Sequence, residues 1–401
     1  MLKFPSNGLF LIPIANNLLD NYINSRQLTK LSQEVPETTK KLVGETKFEK
    51  AIAYNKEKLM FNIFTSLFTS AEEVLILFVM ASLYYSKFAG IMFSDAIFSI
   101  FLSLLSLITN IPFGLFFDFW IEKKYGFNKK TLGIFFYDLF IRATLLILIQ
   151  LPLLIAIFYI IKRFSRFYFY VWLLIATVQI VLVIIYPSVI APLFNKFTPL
   201  EEGPLKTKIE ELATKVGFSV QKISVMDGSK RSGHSNAYFI GFGKVKSIVL
   251  YDTLLEHLNE EEILAVLGHE LGHCFYHHVY LGIALMLSNL LAFLYLFNVF
   301  FSSSDTEPIC IKFYKFNTSV SLVNTPLKMG INLIKRIWER QADRFAVDLG
   351  FGDQLKSALV KLHLKNECVP VIDWLYSAVH YDHPHTTERI ETIEAEMRKK
   401  E

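Results

Sequence analysis

Five long apolar runs decide what this chain of 401 residues can fold into. Phe61 to Ala89 is interrupted only by Asn62, Glu72, Glu73, Lys87 and a few hydroxyl residues, and Ala96 to Trp120 is nearly unbroken. Ile141 to Ile161, Tyr168 to Tyr186 and Val279 to Phe301 complete the set. Each reaches the roughly 20 residues a helix needs to cross about 30 Å of hydrocarbon. A composition of 52% hydrophobic residues, a mean hydropathy of +0.37 and 37 phenylalanines agrees with several spans rather than one large core. Two weaker segments raise the expectation from five spans to seven. Residues 8–19 are short and contain Asn16 and Asn17, and residues 308–330 carry Lys312, Lys315 and Lys328. A signal peptide is the rival reading of the first, but it lacks a convincing small-residue cleavage site.

Charge excludes one class of function and leaves the orientation open. The net +4 is small and spread out, so no nucleic-acid surface is expected. Lysines between Glu122 and Lys130 favour the cytosol for that loop, yet the short link Lys162 to Arg166 on the opposite side is also basic. Two spans separate residues 120–140 from 191–278, so parity puts both on one side. Cys274, Cys310 and Cys368 form no CxxC pair and no even framework, which favours reducing surroundings for the soluble parts.

Between Tyr186 and Val279 the composition turns soluble. Leu205, Ile209, Leu212 and Val216 share one helical face, with a glycine after them. Ala237 to Phe242 and Ser247 to Tyr251 are rich in β-branched and aromatic residues, and the segment between them can turn, which predicts a hairpin. Leu258 to His278 is predicted as a helix entered through Asn259 and three glutamates, whose charge suits the helix dipole.

That helix carries GHELGHCFYHH. His269 and His273, four apart, project from one face about a turn apart, the separation that chelates one tetrahedral Zn²⁺. Glu270 lies beside them and reaches a metal-bound water without ligating the metal, as the HExxH pattern requires. His277 extends the same face but lies about 12 Å along the axis from His269, too far to share a metal. A metzincin needs a third histidine six positions after the second, where this chain has Val279. The third ligand therefore comes from elsewhere, and a glutamate on a later helix is the usual solution. ERQADRFA at 339–346 offers Glu339 as ligand and Asp343, one turn on, to hydrogen-bond a ligand histidine. In isolation, that spacing describes the exposed face of a charged helix; beside HExxH it reads as the completion of the site.

Several longer strings resemble the type I CAAX prenyl proteases, seven-span zinc metalloproteases of the endoplasmic reticulum and nuclear envelope. They are EKKYGFNKKT (122–131), YPSVIAPLFNKFTPLEEG (186–203), GSKRSGHSNAYFIGFGKVKSIVLYDTLL (228–255), HELGHCFYHH (269–278), ERQADRFA (339–346) and HYDHPHTTERI (380–390). The resemblance implies a mainly α, polytopic membrane protein of about seven helices enclosing a chamber, with a gluzincin-like protease domain that contains a small β-sheet. It implies one Zn²⁺ per chain on His269, His273 and Glu339, with Glu270 as catalytic base. His383, before Pro384, falls where the family stabilises the oxyanion, and Asn236 and Ala237 fall on the strand edge that holds the substrate backbone. His234 and His278 also fall on family positions, where a structural role is at least as good an expectation as a functional one, and Arg389 is expected to pair with a carboxylate near the site. His257, His363, His380 and His385 are expected to be packing or solvent residues.

The implied organisation is an N-terminal span and loop (1–60), transmembrane helices (61–190) and the first protease segment (191–278). More transmembrane helices (279–330) and the second protease segment (331–401) follow. The implied partners are farnesylated CAAX proteins and membrane lipid, and the implied location is the endoplasmic reticulum membrane or the inner nuclear membrane. The expected reaction removes the last three residues, with a second upstream cut as an extension. A broader translocon quality-control protease is the nearest rival, and a non-catalytic scaffold is a rival of another class. A site-2-type intramembrane protease is disfavoured because polar residues Glu256 to Glu262 lead into the motif. Three features depart from the family pattern: the polar first span, the lysine-containing last span, and Lys335 where a serine is usual. The terminal RKKE resembles a dilysine retrieval signal, although a charged helix end explains it as well.

Overall fold

A computed structural model describes residues 8–43, 48–218, 220–242, 245–300 and 307–400. Five helices are long and apolar enough to cross a membrane: Phe48–Lys87, Ser94–Glu122, Leu132–Arg163, Phe167–Leu193 and His278–Phe300. They overlap the five runs foreseen from hydropathy, the first run extending two residues past its helix, while Phe301 of the last lies outside the described residues. The first has 40 residues, about 60 Å at 1.5 Å per residue and twice the hydrocarbon thickness. Its surplus lies before Phe61 and joins the later protease segments, since Asn55 donates to the Glu367 carbonyl (2.9 Å) and Lys50 pairs with Glu367 (2.9 Å).

The two weaker segments form helices that fall outside this set. Residues 11–30 are helical, but Asn17, Asn24 and Gln27 are buried. Gln27 donates to the Val371 carbonyl (2.9 Å) and Arg26 grips Asp373 through both carboxylate oxygens (3.1 and 2.8 Å). Arg26 and Gln27 therefore serve contacts with the C-terminal region, whereas Asn17 donates to Ser66 (3.1 Å) on the helix Phe48–Lys87. The expected continuous span 308–330 is corrected to two pieces, Ile309–Val320 and Asn324–Asp348, with a short 3₁₀ turn at Ser321–Val323. Pro326 suits the first turn of the second piece and would break a helix running through it.

Spans alternate direction, so the ends near 48, 122, 132, 193 and 278 share one side of the membrane, and those near 87, 94, 163, 167 and 300 share the other. Parity is borne out by backbone contacts on the first side. Gly233 N donates to the Phe127 carbonyl (3.0 Å), and Asn128 bridges Ser232, joining the 123–131 loop to the protease segment. At the far side the spans interlock through Met80, Phe98, Phe158, Val171 and Phe297. Only 6–11% of each span's most apolar window is buried, too little for a solidly packed bundle.

Above the near side sits a four-stranded sheet in the order β1-β2-β4-β3, where β1 is Phe197–Pro199, β2 Lys222–Met226, β3 Ala237–Phe242 and β4 Val245–Tyr251. The predicted hairpin is β3–β4, with Ala237 opposite Leu250. β4 also pairs with β2 in parallel, which leaves β3 at the edge. The helix Pro204–Lys215 contributes Ile209 and Leu212 to a core with Ile248 and Leu250, against Ile263, Leu264, Leu267 and Leu271 of the motif helix. The strand edge and the metal motif are thereby fixed to one hydrophobic core.

Candidate metal centre

The motif helix runs from Glu260 to Phe275 and begins at a reciprocal cap. Asn259 Oδ1 accepts from Glu262 N (2.9 Å), and Glu262 accepts from Asn259 N (2.9 Å), which satisfies two otherwise unpaired amides. Ser357 Oγ (2.6 Å) and Lys361 Nζ (2.8 Å) also donate to Glu262, tying the helix start to the helix Gly352–Lys365. The sequence expectation that the helix continues to His278 is corrected. The chain breaks at His277, whose φ of 58° lies in the left-handed region, and His278 opens the next helix. His277 is consequently exposed and does not extend the motif face.

Asn324–Asp348 crosses the motif helix closely because Gly272 has no side chain. A Cβ there would lie 2.9 Å from Ala342 Cα and 3.0 Å from Phe345 Cβ. This approach brings His269, His273 and Glu339 together, with one donor atom from each lying within 4.8 Å of the others. The two histidine Nε2 atoms are 3.2 Å apart, and Glu339 lies 3.2 Å from His273 Nε2 and 3.5 Å from His269 Nε2.

Outer partners set the tautomers. His269 Nδ1 donates to Asp343 Oδ1 (2.8 Å), leaving its Nε2 lone pair turned inward. Arg389 holds that carboxylate with two donors (2.9 and 2.6 Å), which is the pairing expected of it. For His273 the structure supplies a chain that sequence reading missed. His278 Nε2 donates to Gln341 Oε1 (2.9 Å), its Nδ1 accepts from His273 Nδ1 (2.9 Å), and His273 Nε2 is left as a free lone pair. The His278 ring is held flat against Trp338, 5.2 Å between centroids.

The electrostatics favour a cation. Burial alone would raise the Glu339 carboxyl, but positive charge gathered at His273, His269 and Arg389 outweighs it and holds the group down at about 2, and a bound cation would take the place of the ring protons. Burial likewise opposes ionisation of Asp343, and Arg389 with His269 outweighs it. Glu339 Oε2 is buried without a hydrogen-bond partner, a costly state for a carboxylate oxygen. Two inward lone pairs and an orphaned anionic oxygen fit a metal ion, and nitrogen-plus-carboxylate donors fit zinc.

Glu270, next to the ligand candidates, is partly exposed, and desolvation pushes its carboxyl above the usual range. His383 stands on the open side, with Nε2 3.3 Å from Glu339 Oε1 and Nδ1 2.7 Å from Asp382 Oδ1. The Asp382 hydrogen bond raises its pKa, which favours the doubly protonated ring whose Nε2–H faces the site. Asp382 also pairs with Lys335 (3.2 Å), which gives the unusual lysine a role in placing His383. Asn236 is exposed and Ala237 buried where edge strand β3 begins, with Ala237 packed in the core that includes Leu267 and Leu271.

The other histidines hold the scaffold together. His385 donates to the Val369 carbonyl (2.7 Å) and caps Thr386–Arg398, the helix that delivers Arg389. His363 meets Thr386 (3.0 Å) and His257 meets Ser235 (2.6 Å). His234 stacks on Phe127, 4.2 Å between centroids, at the contact with the 123–131 loop.

Known proteins share this layout. Residues 24–196 match the family model described as CAAX prenyl protease N-terminal, five membrane helices, and residues 199–397 match peptidase family M48. The CAAX prenyl protease 1 homolog of Arabidopsis thaliana is 38% identical, covering 95% of this chain and 96% of the relative. This chain belongs to the CAAX prenyl protease 1 family. The Homo sapiens member is 36% identical, over 92% of this chain and 90% of its own. The crystal structure of S. mikatae Ste24p superposes with a TM-score of 0.92 at 32% identity, covering 98% of this chain and 100% of that one. The chain is accordingly a multi-pass membrane metalloprotease of family M48.

Proposed function

We propose that this CAAX prenyl protease is a zinc endopeptidase of the endoplasmic reticulum membrane that removes the C-terminal tripeptide from farnesylated CAAX proteins, with a second upstream cut as an extension. The observation that carries the reading is the orphaned Glu339 oxygen facing two histidine lone pairs. The names of the relatives supply the substrate class. Zinc, when bound, polarises the scissile carbonyl and acidifies a water.

His269, His273 and Glu339 are the proposed ligands, with Asp343 and Arg389 orienting the first histidine. Glu270 takes the proton of the attacking water and returns it to the departing amine, and its desolvated carboxyl suits a proton carrier. His383 donates from Nε2 to the negative charge that develops on the carbonyl oxygen. The free edge of β3 at Asn236 and Ala237 holds the extended substrate as an added strand. Sparse packing among the spans is consistent with a chamber that receives the prenylated end.

The test compares purified protein acting on farnesylated and unmodified CAAX peptides, with Glu270→Gln as control. Farnesylated peptide should be cleaved at least tenfold faster; equal turnover would replace this reading with a broader membrane protease. Glu270→Gln should lose about 10²–10⁴-fold in kcat while retaining zinc. Undiminished activity in that variant would sink the mechanism.

A further inference from the structure

One cavity is remote from the metal centre, on the other face of the sheet. It measures about 860 Å³ and lies between the outer face of β2–β4–β3, the start of the span at Leu132 and the end of the span at Leu193. Tyr238 lines it, whereas its neighbours Ala237 and Phe239 join the core under the motif helix. Because those two helix ends share the protease side of the membrane, the cavity opens at that membrane surface.

Its chemistry is one-sided. Lys196, Lys222, Lys230 and Arg231 line it together with Ser188 and Ser224, and no lining residue is acidic. The three lysines are exposed and make no ion pair among the described residues. Arg231 is committed on one edge to Asp138 (3.0 and 2.7 Å), but its Nη1 is buried without a partner. The Asp227 carboxylate beside the mouth accepts from the Lys196 main-chain amide (2.7 Å), not from its ammonium. Unneutralised cations around a polar cavity attract a multiply charged anion, and basic pockets between helices at a membrane surface suit phosphorylated headgroups.

The rim distinguishes a lipid from a free anion. Leu132, Phe136 and Val189, flanking the lining positions on the two spans, are 56%, 49% and 56% exposed. An acyl chain descending beside them would lie where the bilayer already is. We propose that this cavity is a binding site for the phosphorylated headgroup of an anionic phospholipid from the protease-side leaflet. Lys196, Lys222 and Lys230 contact the phosphates, and the spans contact the chains. Since Tyr238 belongs to β3, the bound headgroup rests against the back of the strand proposed to hold substrate.

The test uses full-length protein in detergent, titrated with short-chain phosphatidylinositol 4-phosphate, phosphatidylcholine of equal chain length, and inositol 1,4-bisphosphate. The first should bind at least tenfold more tightly than either of the others. Lys196→Gln/Lys222→Gln/Lys230→Gln should weaken it about a hundredfold, roughly fivefold per lysine. Lys215→Gln/Lys365→Gln, equal in kind but outside the cavity, should leave it unchanged, and Tm should not move in either variant. Equal binding of the headgroup alone would overturn the lipid assignment. Equal losses in the two variants, or none in the triple variant, would overturn the site.

Discussion

At the scale of single residues, the two ligand histidines are oriented by unlike partners. His269 leans on a carboxylate locked by an arginine, whereas His273 leans on a neutral imidazole that ends at a side-chain amide. His278→Phe should keep the packing on Trp338 but remove the acceptor for His273 Nδ1. Loss of such an outer partner typically costs 10–100-fold in metal affinity. Competition with a chelator of known affinity measures this, and zinc retention equal to the parent's would show that the relay does not orient the ligand. Gln341→Ala, which removes only the far end of the relay, should fall between the two.

At the scale of elements, the site depends on where the motif helix starts and how closely Asn324–Asp348 crosses it. Glu262 is buried at that start and bonded to Asn259 N, Ser357 and Lys361. Glu262→Ala removes half the cap and strands Lys361, a destabilisation of about 2–3 kcal/mol read as a lower Tm. Burial opposes ionisation of Glu262, and its Lys361 and Ser357 bonds outweigh burial, so its folded pKa is depressed. That stability is present above the unfolded value of about 4.3 and is lost as pH falls through the folded pKa. Accordingly, the Tm gap between parent and Glu262→Ala should narrow on acidification; a gap that widens would contradict the assignment. The two motif glycines make a sharper contrast. At Gly268 a Cβ meets nothing closer than 3.5 Å, so Gly268→Ala should be tolerated. Gly272→Ala must push the helices apart, at about 1–3 kcal/mol, and should lower zinc retention as His273 moves from Glu339. Equal tolerance of both would mean that the crossing does not set the site.

At the scale of the whole molecule, hydropathy and short motifs revealed the five spans, the hairpin and a plausible ligand set, because each rests on local spacing. Contacts between distant segments were less legible. Nothing in the run GHCFYHH marks His277 as a left-handed break, and the pairing of His278 with Gln341 needs the helix crossing. The charge rule left orientation open because basic residues border the spans on both sides, and several of them are engaged in ion pairs. Lys162 pairs with Asp95 (2.8 Å) on the far side, and Lys130 with Asp118 (2.7 Å) and Lys124 with Glu57 (2.8 Å) on the near side. Relative sidedness follows instead from the docking of the 123–131 loop on the protease segment through Gly233 and Phe127. Epitope tags inserted after Gly90 and after Ser165 should therefore become accessible together, from the face opposite a tag after Glu202. Selective permeabilisation of intact membranes reads this directly. A tag at Gly90 exposed on the same face as one at Glu202 would refute the span count between them, and with it the placement of the metal centre above a single membrane surface.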